Sequence, residues 1–176
     1  CLGSDIENIN DEYDTETTVF QLAVTSEEDK KYWNSLSIDK SYIVDHLNTG
    51  YYIPYIKNSS LEKNFPQHSR RQNTGEPTKG DWVSLIISHG KAPKNQSYEY
   101  AIFPQTDWDM MESFAKKPSY KVLKQDRDAH IVEELSENMV SYAIYESLEK
   151  TIDLIQKVDT SCLLMMKKYK SYNILT

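Results

Sequence analysis

The strongest hydrophobic pattern in the chain is the run WVSLIIS at Trp82 to Ser88. A break follows at Gly90, Pro93 and Asn95, and then Tyr98, Tyr100 and Ile102 alternate with Glu99, Ala101 and Phe103. β-Branched and large apolar residues suit a pleated strand with little exposed surface, and strict alternation sets the large rings along one face of the second segment. Gly80 to Pro104 therefore predicts a hairpin of two strands. Pro104 ends it, because proline has no N–H to give to a central ladder.

Elsewhere the pattern predicts further short strands. TTVFQLAV at Thr17 to Val24 reads as a buried strand. Ser41–His46 and Tyr51–Ile56 flank Asn48, Thr49 and Gly50 and read as a second hairpin, with Gly50 supplying the positive φ of the turn. Tyr120–Leu123, Ala129–Val132 and Met139–Tyr145 are separated by polar turns, and Cys162–Met166 is one more apolar run. Helical spacing is confined to a few places. Thr25–Lys40 reads as a loop with one helical turn capped by Ser26. Asp107 or Thr106 caps a helix through about Lys116, with Trp108, Met111 and Phe114 on one stripe and Pro118 as its stop. Leu148–Lys157 suggests a further short helix. Asn58–Lys79, polar and punctuated by Pro66, Gly75 and Pro77, reads as a long loop or irregular strand. Many strands at spacings near ten residues, with one or two short helices, predict a mainly antiparallel all-β sandwich.

Composition narrows the function classes. The 176 residues suffice for one ordinary domain with its own core, and 13 tyrosines supplement a hydrophobic content of 39%. A net charge of −7 argues against nucleic acid or an anionic membrane surface as a general partner. No apolar run approaches the roughly 20 residues of a membrane-spanning helix.

Charge is uneven along the chain. Between Lys57 and Lys94, seven basic residues (Lys57, Lys63, Arg70, Arg71, Lys79, Lys91, Lys94) face three acidic ones (Glu62, Glu76, Asp81). An anionic ligand would bind here. Arg70 and Arg71 are suited to forking onto carboxylate or sulfate, and His68 adds a donor; the plainer alternative is a solvated basic loop. The acidic stretch Asp5 to Glu16 lacks the central glycine and closing glutamate of an EF-hand, so it reads as a solvated loop rather than a calcium site. His89 closes the apolar strand just before Gly90, and it reads either as an aimed site residue or as a histidine satisfied at a strand end. No nucleophile elbow, phosphate loop or zinc spacing is present, and no cofactor is expected. Cys1 and Cys162 stand at opposite ends and read as unpaired thiols. A leading cysteine fits either a lipid-bearing start or a chain cut from something longer.

Several strings in register resemble one family. ISHG at Ile87–Gly90, Pro93 and YEYAIFP at Tyr98–Pro104 resemble the β-domain of polysaccharide lyase family eight, the chondroitin, hyaluronate and xanthan lyases. CLGSDI with ETTVFQ at Glu16–Gln21, and YKVLKQDRDAHIV at Tyr120–Val132, fall in the same order as in chondroitin sulfate ABC lyases. The resemblance implies that Cys1 lies inside a longer chain, with residues 1–160 from the later part of a β super-sandwich like that of galactose mutarotase. Residues 161–176 would begin the following small C-terminal β domain or a linker. It also implies a secreted or periplasmic setting, an acidic polysaccharide (glycosaminoglycan) substrate, and β-elimination at uronic acid residues. The resemblance further implies that in such enzymes the chemistry belongs to an N-terminal toroid, joined in ABC-type members by a glutamate from an early loop of the β-domain upstream of the stretch that matches Cys1, so no catalytic residue is expected here. His68, Arg70 and Arg71 remain the candidate substrate contacts. A stand-alone carbohydrate-binding module is the alternative. Unpaired edges of a partial sandwich predict self-association.

Overall fold

The apolar run at Trp82–Ser88 does lie in a strand, but a longer one, whose neighbours differ from those its sequence context suggests. The computed structural model of the chain describes residues 1–147, 155–169 and 173–175. In order, it forms β1 (Leu2–Ile6), β2 (Asp14–Ala23), α1 (Glu27–Ser35), β3 (Tyr42–Val44), β4 (Gly50–Tyr52), a 3-10 turn (Ile56–Asn58), β5 (Ser59–Arg70) and β6 (Pro77–Lys91). Then come β7 (Gln96–Glu99), β8 (Ala101–Phe103), α2 (Trp108–Lys116), β9 (Tyr120–Gln125), β10 (Ala129–Glu134), β11 (Met139–Ile144), β12 (Cys162–Lys168) and β13 (Asn173–Leu175). The sheets are antiparallel, in the orders β2–β6–β5, β3–β4–β8, β1–β7 and β13–β12–β11–β10–β9. The chain is thus mainly antiparallel β, with two short helices among the described residues. The helix expected over Leu148–Lys157 falls largely outside those residues.

Gly80–Pro104 is not a hairpin. β6 is the central strand of its sheet, with β2 on one edge and β5 on the other, so neither edge is free to take β7. Ala92 and Asn95, at φ 44° and 53°, turn the chain away. β7 then pairs with β1 (Gly3 opposite Tyr98), and β8 pairs with β4 (Tyr51 opposite Ile102). The true hairpin lies upstream. Asn58–Lys79 is mostly ladder: β5 and β6 pair from Ser59–Ile87 out to Arg70–Pro77, with a register shift between Asn64 and Gln67. Pro66 sits within that shift, where no ladder N–H is needed.

Among the described residues, three cores hold these sheets. Val83, Leu85 and Ile87 of β6 meet Phe20 of β2, Ile43 and Tyr51 of the β3–β4 hairpin, and Trp33 of α1, which is fully buried. α1 is longer than the single turn expected. Ser26 Oγ accepts from the Asp29 N–H at 3.0 Å, and three acidic residues fill the first turn, where the helix dipole favours them. α2 closes the second core, with Met111 buried against Tyr42, Val44 and Tyr52. Asp107 Oδ1 accepts from the Met110 N–H at 2.8 Å, as the sequence predicts. The positive φ of the β3–β4 turn belongs to Asn48 (63°) and not to Gly50. Gly50 is needed for space instead, since a Cβ there would fall on Met111 Sδ and lie 2.6 Å from Thr106 Cγ2. The third core, around Ile131, Val140, Tyr142 and Met166, belongs to the five-stranded sheet.

Candidate functional site

The basic residues singled out by sequence lie on an arm rather than in a loop. β2 makes its last pair with β6 at Ala23–Trp82, so beyond it β5 and β6 continue as a two-stranded projection. His68 stands opposite Lys79, and Arg70 opposite Pro77, so strand alternation puts His68, Arg70 and Lys79 on one face near the tip. All three are exposed. The two arginines are not a preformed fork. Arg70 Nη1 donates to the Gly75 carbonyl at 3.0 Å and fastens the turn, while Arg71 Nη1 stands 4.0 Å from Glu76 Oε2 in solvent. The root of the arm is held more firmly. Lys30 of α1 reaches Asp81 at 2.7 Å, and Lys63 Nζ donates to the Leu36 carbonyl at 2.6 Å.

A second feature lies where β6 ends. His89 Nε2 and Thr17 Oγ1 are 2.8 Å apart, and the imidazole sits 6.1 Å from the Tyr98 ring, which in turn stacks on Tyr100 at 5.8 Å. Burial lowers the His89 pKa below the ordinary histidine value. His89 is therefore satisfied by Thr17, at the end of its strand. Beside it opens a cleft of about 90 Å³ lined by Tyr55, Asn58, His89, Gln96, Tyr98 and Gln125, among others. Gln125 is fixed there because its Nε2 donates to the carbonyls of Gly3 (2.9 Å) and Tyr98 (2.7 Å). Its role had no local signal in sequence, because both acceptors are on distant strands. The cleft offers hydrogen-bonding groups and aromatic edges and no nucleophile–base pair.

The acidic stretch after β1 is an exposed loop tied by its own asparagines: Asn8 Oδ1 accepts from the Asn10 N–H, and Asn10 Oδ1 from the Glu12 N–H. Cys1 and Cys162 are both free thiols.

Comparison with known proteins agrees with this architecture. The sequence matches the profile of polysaccharide lyase family 8, super-sandwich domain, over residues 1–115. It is 54% identical over 177 residues to the chondroitin sulfate ABC exolyase of Bacteroides thetaiotaomicron, covering 99% of this chain and 17% of that protein. It is 27% identical to the chondroitin sulfate ABC endolyase of Proteus vulgaris, covering 96% of this chain and 18% of that one. The chain thus spans less than a fifth of these relatives' length. Among solved structures, a chondroitinase AC lyase superimposes with a TM-score of 0.76 at 19% identity, over 99% of this chain and 28% of that one. A Paenibacillus xanthan lyase does so with a TM-score of 0.74 at 18% identity, over 96% and 18% respectively. These two likenesses show the shared fold. With a sheet architecture common to such lyases and a super-sandwich match over most of its length, the chain belongs to polysaccharide lyase family 8.

Proposed function

We propose that this chain is the super-sandwich portion of a secreted or periplasmic glycosaminoglycan lyase, serving as scaffold and substrate-contacting wall. The observation that carries this reading is the 54% identity to a chondroitin sulfate ABC exolyase over 99% of the chain, in a stretch that spans only 17% of that enzyme. β-Elimination at a uronic acid needs a base at the proton beside the carboxylate, an acid at the leaving oxygen, and a group that neutralises the carboxylate as charge develops. The residues described above do not assemble that set. His89 is engaged by Thr17, and Tyr98 and Tyr100 pack partly into the first core. The chemistry is assigned to a catalytic toroid elsewhere in the enzyme, against which this sandwich packs.

The test is to incubate the purified 176-residue chain and the full-length protein with chondroitin sulfate and follow the ultraviolet absorbance of unsaturated uronate. Product is expected only from the full-length protein. Turnover by the chain alone at enzyme-like rates would overturn the scaffold reading.

A second reading, a carbohydrate-binding module, is favoured by the exposed cationic arm in an otherwise acidic chain. It predicts binding to sulfated glycans that weakens with salt and falls when Arg70 and Arg71 are replaced by alanine. Absence of binding at low salt would remove it. Self-association through β5, an edge strand of its sheet, is a further expectation of either reading, checked by sedimentation.

A further inference from the structure

The face of the arm opposite His68, Arg70 and Lys79 has a different character. Thr78, Gly80 and Trp82 alternate onto it from β6, away from the core residues Val83 and Leu85. Cross-strand pairing sets Gln67 beside Gly80 and Ser69 beside Thr78, and Gln21 of β2 completes an open groove of about 370 Å³, which Lys79 also borders. Gly80 shapes this groove. A Cβ at position 80 would stand 2.9 Å from Trp82 Nε1, so the missing side chain leaves the space in which the indole lies along the strand. The two amides, the two hydroxyls and the indole N–H that border the groove make no hydrogen bond to another described residue, unlike Gln125 and His89, which are engaged at the other end of β6.

We propose that this groove is a saccharide subsite in which a pyranose ring of an acidic glycan lies against the Trp82 indole. An indole laid along a strand offers a flat apolar platform to the C–H face of a sugar ring, and hydroxyls around the ring's edge need both donors and acceptors. Gln21 and Gln67 supply both through their amides, and Ser69 and Thr78 supply both through their hydroxyls. The occupant is anionic by charge complementarity: Lys79 borders the groove and Arg71 sits at the arm's turn, while the carboxylate at the arm's root, Asp81, is already paired with Lys30. The cations attract the polymer, and the platform seats one ring. The inference rests on the reading that the protein handles an acidic polysaccharide, and it adds a site that its charge alone does not specify.

The test uses the full-length protein labelled with fluorotryptophan, the Trp82 resonance being assigned by its loss in Trp82→Phe. Two probes are titrated, chondroitin sulfate and a desulfated, carboxyl-reduced chondroitin that is neutral. Both are expected to shift the Trp82 signal, the neutral one equally at low and high salt. Trp82→Ala should lower the affinity for the neutral polymer about tenfold. Gly80→Ala, which displaces the indole, should do the same without loss of fold by circular dichroism. If chondroitin sulfate binds but the Trp82 signal stays fixed, the subsite is overturned and the polysaccharide reading stands. If neither polymer binds at all, that reading falls and the subsite with it.

Discussion

The Tyr120 hydroxyl donates to Glu99 Oε1 at 2.5 Å, joining the first strand of the five-stranded sheet to β7. Tyr120 is half-buried, and its phenol is pushed well above the ordinary range, by burial first and then by this bond to a carboxylate. The joint between the sheets is largely polar: Gln125 adds its two bonds to Gly3 and Tyr98, and Ser4 Oγ lies 2.8 Å from His130 Nε2. Tyr120→Phe keeps the ring contacts with Tyr52 and Phe114 but leaves Glu99 without its donor. Stability in urea should fall by about 2 kcal/mol, the scale of a hydrogen bond to a charged group. A change within error would show that the carboxylate finds another partner.

Asp45 is buried and organises the β3–β4 turn. Its Oδ1 accepts from the backbone N–H groups of Leu47 and Thr49, both at 2.8 Å, and its Oδ2 accepts from the Tyr51 hydroxyl at 3.1 Å. Alanine here strands two N–H groups and a phenol, with an expected cost of about 3 kcal/mol. Asparagine keeps Oδ1 as an acceptor and should recover more than half of that. Equal losses in the two variants, read from urea midpoints, would contradict the assignment of Oδ1 as the turn's main anchor.

What could be read from the sequence was local. The caps at Ser26 and Asp107, the turn around Asn48, and the meander from Tyr120 to Tyr145 each announce themselves within a few residues, because capping and turn chemistry act over that range. Strand partners do not. Trp82–Ser88 and Tyr98–Phe103 look like a hairpin because they are adjacent and apolar, but β6 is already paired on both edges. The sequence of β5 reads only as a loop or irregular strand because its half-buried positions, Ser59, Leu61, Lys63, Phe65 and Gln67, are too mixed for an apolar period to show, and the register shift after Asn64 changes which face they serve. The candidate contacts divide in the same way. Arg70 stands out by charge and His68 as a donor beside it, and the two share a face of the arm, whereas Gln125 and the groove beside Trp82 depend on pairings between distant strands.

Gly50 gives a prediction that depends on packing alone. It sits in β4 facing α2, where Met111 and Thr106 occupy the space a Cβ would take. Gly50→Ala should cost about 1–3 kcal/mol by overpacking. A second change, Met111→Ala, opens that space, so the double variant should lose less than the sum of the singles. Strict additivity in a double-mutant cycle would mean that Gly50 is required for some other reason.

The pH dependence of stability follows from two histidines. Burial lowers the pKa of His89 and of His130, with Asp126 acting against the shift at His130. His130 is held from both sides, Nε2 by Ser4 Oγ at 2.8 Å and Nδ1 by the Tyr145 hydroxyl at 2.9 Å. In the unfolded chain each imidazole takes its proton near the ordinary value of about 6.5, while in the folded state it resists. As pH falls through about 6.5 the unfolded state therefore binds more protons than the folded one. Stability is complete above that value and declines below it until the lowered folded values are reached. Replacing His89 and His130 by glutamine removes both groups from this balance. The slope of the urea midpoint against pH, measured from about pH 7 down to about pH 5.5, should flatten in each single variant and flatten further in the double. The slope, and not the absolute stability, is the deciding quantity, because glutamine also alters the bonds to Thr17 and Ser4. An unchanged slope in the double variant would assign the acid sensitivity to the carboxylates instead.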